Sequence, residues 1–269
     1  MFQCWDKLVE QIDEATQILL FLDYDGTLTP IVARPEMAVL SSQGRKILRQ
    51  ISHHTLFKLA IISGRSLSEI KTLLGLENIA YAGNHGLEIE CPPHYCQGRS
   101  LKTIVFTHPL AKQLRPRLES LEQRLKKSLA GIDSIIIQNK GLTLSIHYRL
   151  ARQTEVRRIK ELSFKAIGYG QAGDKLEIIE GKKVLEVRPR VEWNKGKAIE
   201  WLLGICGMPG SLSIFAGDDA TDEDGFMILH KVGGISVFVG ENNTSSSADY
   251  YLDSSDQLYH WLGKLLEGR

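Results

Sequence analysis

Short uninterrupted apolar runs alternate along this chain with stretches in which apolar residues return every three or four positions. The first pattern is that of strands buried on both faces, the second that of amphipathic helices. Residues 18–22, ILLFL, form such a run and stop abruptly at Asp23, with Asp25 two positions on and Gly26 able to turn the chain sharply. Ile47, Leu48 and Ile51 then keep helical spacing, with Ser41 or Ser42 as the N-cap. Residues 56–62, LFKLAII, predict a second strand ending in Ser63, Gly64 and Arg65. Ser66 and Glu69 stand in capping-box spacing before a helix that Gly75 closes. A third strand, residues 79–82, ends in GNHG, which carries Asn84 and His85. Strands alternating with helices in this way imply βαβ units and a parallel sheet.

From about Pro109 the pattern changes. Leu110, Leu114, Leu118, Leu121, Leu125 and Leu129 predict one long amphipathic helix, entered or bent at Pro116. Strands at 134–138 and 142–148 follow, joined by a turn at Asn139, Lys140 and Gly141. A helix at 154–167 leads to a second hairpin, 175–180 and 183–188, turning at Gly181. Alternation puts Leu142, Leu144 and Ile146 on one face and Thr143, Ser145, His147 and Arg149 on the other, while Glu186 and Arg188 also share a face. Residues 109–188 thus predict an antiparallel α-β-β-α-β-β unit between two halves of a core, 1–108 and 189–269. Its polar face is either simply solvated or a surface that closes over a polyhydroxylated anion.

At Trp193 the first pattern returns. A helix with Ala198, Ile199, Leu202, Leu203 and Ile205 inward carries Lys195 at its start, where a cation opposes the helix dipole. That lysine is either held out in solvent or paired with an anion nearby. Residues 212–216 predict a strand ending in GDDATDED, whose crowded carboxylates repel one another unless a cation or helix amides compensate them. Asp222, Glu223 and Asp224 suit the start of the next helix, but Asp218 and Asp219 lie directly at the strand end. A last strand at 235–239 and a helix at 256–266 complete the pattern.

Composition narrows the field. The 269 residues are enough for one large domain or two moderate ones, and 43% hydrophobic with 24% charged residues is ordinary for a soluble globular protein. A formal net charge of +1 gives no global field toward nucleic acid or a membrane surface, so neither is expected as a partner. No apolar run approaches the roughly 20 residues of a membrane-spanning helix, and the opening stretch is too charged for a signal peptide core. A cytoplasmic location is expected. Cys4, Cys91, Cys96 and Cys206 are too few for a disulfide framework and are expected to be reduced. CPPHYC, with His94, has no second ligand cluster to complete a metal site and is given no role.

Four apolar strands therefore end at polar clusters: Asp23 and Asp25, Ser63, Asn84 and His85, then Asp218 and Asp219. Taken alone, the first of these is either a solvated Asp/Gly turn or a metal and nucleophile site. In a doubly wound sheet all four converge on one crevice, joined by Lys195. Two acidic clusters suit an oxygen-liganded divalent cation, Mg²⁺, and a hydroxyl with an ammonium suits a phosphate. Phosphoryl transfer to an aspartate follows as chemistry.

DYDGT, Ser63 in ISGR, Lys195 in NKG and GDDATDED match in order the four motifs of the haloacid dehalogenase superfamily of phosphatases, and the insertion resembles its C2-type cap. Within it LDYDGTLTPI, ISGR, AGNHGLE, KGLTLSIHYR, LEVRP and GDDATDED are similar to the trehalose-6-phosphate phosphatase family over nearly the whole chain. The resemblance implies an α/β fold, a Rossmann-like doubly wound parallel sheet core with an inserted α+β cap. It implies Mg²⁺-dependent hydrolysis of a sugar phosphate, trehalose 6-phosphate, through an aspartyl phosphate. Asp23 would attack phosphorus, and Asp25 would protonate the leaving sugar and then activate water. The metal would be held by Asp23, the main-chain carbonyl of Asp25, and Asp218, with Asp219 or Asp222 orienting its waters. Ser63 and Lys195 would bind the phosphoryl oxygens beside Gly64 and Arg65. The cap would read the sugar through Lys140, His147, Arg149, Lys182, Glu186 and Arg188, with Asn84 and His85 on the core side. A monomer is expected. Phosphatases of sucrose 6-phosphate or mannosylglycerate phosphate share this core and cap type, and a catalytically silent regulatory module is the rival from another class.

Overall fold

The run at 18–22 lies within β1, Gln17–Leu22, where every residue after the first is buried. The computed structural model describes residues 10–95, 102–168, 175–241 and 245–267. Cys4 and Cys96 fall outside them, and with Cys96 the end of the CPPHYC loop. Along the chain β1 is followed by β2 (Phe57–Ile62), β3 (Ala80–Gly83), β4 (Glu88–Cys91), β5 (Ile104–Thr107), β6 (Ile136–Asn139), β7 (Leu144–His147), β8 (Leu176–Gly181), β9 (Val184–Pro189), β10 (Ser211–Gly217), β11 (Ile235–Val239) and β12 (Tyr250–Leu252). The helices are α1 (Ser42–His53), α2 (Leu67–Leu74), α3 (Pro109–Ser128), α4 (Val156–Ile167), α5 (Lys195–Cys206), α6 (Glu223–Val232) and α7 (Ser255–Glu267). Two compact units result, one of Met1–Phe106 with Trp193–Arg269, the other of Thr107–Glu192.

The first unit is built on an eight-stranded sheet of order β12-β11-β10-β1-β2-β3-β4-β5. From β12 to β3 neighbouring strands are parallel, and β4 returns antiparallel to β3. Ile18, Leu20 and Leu22 face a core with Leu48, Ile51, Ile70, Leu74, Leu258 and Leu262, whereas Leu19 and Phe21 face Ala198, Ile199, Leu202, Phe226 and Leu229. Helices therefore cover both faces, which is why the strand reads as an unbroken apolar run. Ser41 caps α1 by accepting from the Gly44 amide at 3.0 Å, and Ser66 caps α2 by accepting from Glu69 at 3.3 Å. Gly75 ends α2 in the left-handed region at φ 58°. In α5 the inward positions are Ala198, Ile199, Leu202 and Cys206, while Leu203 and Ile205 are only partly buried. Lys58, unexpectedly buried in β2, donates to the carbonyls of Tyr95 and Cys206 at 2.9 and 3.2 Å. No helix among the described residues is long and apolar enough to cross a membrane.

The second unit is a four-stranded antiparallel sheet of order β6-β7-β9-β8 with α3 and α4 sharing its apolar face. Leu144, Ile146, Leu185 and Val187 meet Leu118, Leu121, Leu125 and Ile159 there. Helix α3 starts at Pro109 and runs through Pro116, which is exposed, so water can serve the carbonyl its missing N–H would have served. Several boundaries shift by one or two residues from the sequence expectation, and in two places the shift changes which residues form a turn. Leu142 and Thr143 belong to the first hairpin's turn, where Lys140 N–H donates to the Thr143 carbonyl at 2.9 Å. In the second hairpin Gly181 still pairs with Val184, and the turn is Lys182 and Lys183, the latter at φ 67°.

Candidate active site

The chain leaves β1 toward β2 on one side and returns through β10 on the other, so the end of β1 lies at a topological switch point. Leu22 is in register with Ala216 and Ile61, and the Asp23 amide donates to the Ala216 carbonyl at 2.9 Å. The following turn is tight, with the amides of Leu28 and Thr29 both on the Tyr24 carbonyl at 3.0 Å. Gly26, at φ 98°, lies where any side chain would collide with the Asp218 carboxylate. The missing Cβ lets the two strand ends close on each other.

Asn194 caps α5 by accepting from the Lys197 amide at 2.9 Å, and Lys195 turns inward, 3% exposed. Its Nζ donates to Asp23 Oδ1 and Asp222 Oδ1, both at 2.8 Å. The anion that justifies a cation at a helix start is thus a pair of carboxylates. The other oxygen of Asp222, Oδ2, accepts from the amides of Asp218 and Asp219 at 3.0 and 3.1 Å. Asp219 accepts from the amide and hydroxyl of Thr221 at 2.8 and 2.7 Å, and Thr27 donates to Asp218 at 3.4 Å. Burial drives the carboxyl of Asp23 up to about 7 against the pull of Lys195, and drives Asp222 upward in the same way. Burial works against the Lys195 ammonium too, but Asp222 and Asp23 more than offset it and hold its pKa above the usual value. At Asp219 burial is outweighed by Lys195 and the Thr221 hydrogen bonds, which hold the carboxyl down at about 2.

Oxygens of Asp23, Asp218 and Asp222 lie within 4.8 Å of one another. Four buried or half-buried carboxylates, Asp23, Asp218, Asp219 and Asp222, gather around Lys195, so negative charge is in excess. An all-oxygen, anionic, partly dehydrated set fits a hard divalent cation. Both oxygens of Asp222 are already engaged, so in such a site Asp222 would act as a support and Asp23 and Asp218 would be the direct donors.

Beside β1, Ser63 is fully buried and its Oγ accepts from the Arg65 amide at 3.1 Å. The loop after β3 clasps this one: Asn84 N–H donates to the Arg65 carbonyl at 2.6 Å and His85 N–H to that of Ser63 at 2.9 Å. A Cβ on Gly64 would lie 2.7 Å from the His85 ring, so the imidazole packs directly on that glycine. Asn84 Nδ2 donates to Glu88 at 2.7 Å. The carboxylate of Asp25 is gripped by Arg65, unlike that of Asp23, so the two aspartates have different partners. Thr27 and Glu88, within the quoted motifs but given no role from sequence, prove to be direct partners of Asp218 and Asn84.

In the inserted unit the polar face carries Ser145, His147, Glu186 and Arg188, with Ser145 directly across from Glu186. Lys140 donates to Glu186 Oε1 at 3.1 Å, His147 lies 3.2 Å from Gln138 Oε1, and Arg188 donates to Glu177 at 2.7 Å. Lys182 and Arg149 are elsewhere, at the opposite end of the strands, where the Arg149 guanidinium donates to the Lys182 carbonyl at 3.1 Å. The register explains this: the turn holding Lys140 adjoins Leu144 and Val187, and the turn holding Lys182 adjoins His147 and Val184. A single strand's alternation does not reveal Glu177 and Gln138, because they meet their partners across strands.

Residues 21–256 match the trehalose-phosphatase family. The chain is 34% identical over 274 residues to probable trehalose-phosphate phosphatase 3 of Oryza sativa subsp. japonica, spanning 98% of this chain and 73% of that protein. It is 32% identical to trehalose-phosphate phosphatase B of Arabidopsis thaliana over 98% of this chain and 70% of that one. Among solved structures it is similar to the C-terminal domain of C. albicans trehalose-6-phosphate phosphatase, with TM-score 0.79 and 25% identity over 97% and 96% of the two chains. With the switch-point aspartates, the buried lysine and the inserted α+β unit all in place, the chain belongs to the trehalose-phosphatase family.

Proposed function

We propose that this chain hydrolyses trehalose 6-phosphate to trehalose and inorganic phosphate through an aspartyl phosphate on Asp23. The observation that carries the reading is the buried group of Asp23, Lys195, Asp218 and Asp222 at the switch point. Asp23 Oδ1 is committed to Lys195, while its other oxygen takes no hydrogen bond among the described residues and is the one to attack phosphorus. Asp25 gives a proton to the departing sugar oxygen and later takes one from the water that cleaves the acyl phosphate. Lys195, held charged by two carboxylates, and the Ser63 hydroxyl meet the phosphoryl oxygens. Gly64, lacking a Cβ, lets the His85 ring pack against the loop that carries Ser63, and both residues line the phosphate side of the site in this reading. Asp23, Asp218 and the main-chain carbonyl of Asp25 would hold Mg²⁺, which when bound would neutralise charge at the phosphoryl group. Asp222 and Asp219 orient the ligands from behind. On the cap, Glu186 and Lys140, with His147 and Arg188, supply the donors and acceptors that read sugar hydroxyls.

Phosphate release with Mg²⁺, with and without EDTA, on trehalose 6-phosphate, sucrose 6-phosphate, glucose 6-phosphate and mannosylglycerate phosphate tests this. Strong preference for the first, abolished by EDTA and by Asp23→Asn, is the expected result. Metal-dependent turnover of another member would keep the chemistry and discard the substrate. No turnover of any would make a silent module the better reading. Glu186→Ala should raise KM for the disaccharide phosphate about tenfold or more while leaving a small aryl phosphate within about threefold.

A further inference from the structure

The guanidinium of Arg65 is buried, 6% exposed, and engaged on every side. Nε and Nη2 grip the two oxygens of Asp25, each at 2.7 Å. Nη2 also donates to the Pro35 carbonyl at 2.8 Å, Nη1 donates to Glu69 Oε1, and the group lies 5.4 Å from the centre of the Tyr24 ring. Of the five N–H donors of an arginine, four are therefore committed, and a phosphate would find one. The Asp25 side chain is 42% exposed, so the arginine is the fixed partner and the carboxylate the one able to swing.

On the reading that Asp25 is the acid and base of the reaction, we infer that Arg65 is a positioning residue for Asp25 and not a phosphate ligand. Glu69, Pro35 and Tyr24 hold the fork, and the fork sets the plane in which the Asp25 carboxylate rests between proton transfers. Two parallel N–H···O bonds define that plane, which a lysine ammonium cannot do. Two consequences separate this from a binding role. Substrate affinity survives loss of the fork, and the damage falls on the steps that need a proton moved: release of a sugar alkoxide and hydrolysis of the aspartyl phosphate. Transfer from an aryl phosphate, whose phenolate leaves without a proton, is spared.

The test compares Arg65→Lys and Arg65→Ala with the unmodified chain and Asp25→Asn, using trehalose 6-phosphate and p-nitrophenyl phosphate at saturating Mg²⁺. Arg65→Lys should lower kcat for the sugar phosphate about 10- to 100-fold with KM within about threefold. With the aryl phosphate it should give a burst of nitrophenolate near the unmodified rate followed by slow turnover, as Asp25→Asn should. Guanidinium ion should restore part of the kcat lost by Arg65→Ala. A rise in KM of about tenfold or more on both substrates with kcat retained, or equal loss of burst and turnover, would overturn the assignment. Arg65→Lys keeps a cation between Asp25 and Glu69, so it decides the matter even if Arg65→Ala fails to fold. If the unmodified chain released no phosphate from trehalose 6-phosphate, the substrate would be wrong, and the burst comparison would still decide the role of Arg65.

Discussion

Lys195→Met removes one charge and little volume from the centre of the site, which makes its cost calculable. The ammonium is 3% exposed and donates at 2.8 Å to Asp23 and to Asp222, themselves 3% and 0% exposed. Breaking a buried ion pair by deleting one partner typically costs about 3–5 kcal/mol, because the remaining charge stays buried without compensation. Against a total stability of about 5–15 kcal/mol, the variant should remain folded but measurably weakened. The pH dependence gives the mechanism away. Burial already raises Asp23 to about 7, and Lys195 is what opposes it. Without the lysine the folded pKa values of Asp23 and Asp222 rise further above their unfolded values, so the folded state takes up protons. A group raised on folding adds stability below its unfolded pKa and loses it as pH rises through the folded one. The deficit relative to the unmodified chain should thus be greatest at pH 7 and above and narrow toward pH 5. Urea unfolding in EDTA, followed by tryptophan fluorescence at both pH values, measures this. A deficit below about 1 kcal/mol at pH 7, or one of the same size at pH 5, would refute the idea that Lys195 compensates buried carboxylates. Turnover should fall by about 10³.

Gly26→Ala should place a Cβ on the Asp218 carboxylate at a backbone φ of 98°, and so raise the Mg²⁺ concentration for half-maximal activity about tenfold while leaving the far-ultraviolet circular dichroism unchanged. An unchanged metal requirement would mean the two strand ends can separate without harm. Glu223 accepts from Ser246 and from the amide and hydroxyl of Ser247, at 2.6, 2.9 and 2.6 Å. Burial pushes its carboxyl up, but these bonds outweigh it and hold the pKa below the ordinary 4.5. Its stabilisation is therefore present above that value and lost as pH falls through the folded pKa. Glu223→Gln should cost about 1–2 kcal/mol at pH 7 and much less at pH 3 in urea unfolding, whereas equal losses at both would show that the charge is irrelevant.

The core strands could be read along the chain because helices cover both sheet faces, leaving β1, β2, β10 and β11 with almost no polar residue until they end. Sequence pattern alone does not predict β4, β5 or β12; of these β5, IVFT, is an apolar run, but a four-residue one at one edge of the sheet. In β4 polar and apolar residues alternate over four positions, and β12 is three residues long at the sheet's edge. Gly181 suggests the second hairpin's turn from sequence, whereas the residue that adopts positive φ is Lys183. Lys58 would pass for a solvated strand lysine; its two carbonyl partners lie 37 and 148 residues away.

Local pattern therefore sufficed for the parallel core, the inserted α+β unit and the strand-end clusters, since periodicity and abrupt polar stops are properties of neighbouring residues. Partnership did not follow from it. That Asp25 belongs to Arg65 and Asp23 to Lys195, and that Lys140 and Lys182 sit at opposite ends of one sheet, depend on strand register and chain crossover. Those are set by the packing of segments 40 to 172 residues apart, which no short stretch of sequence contains.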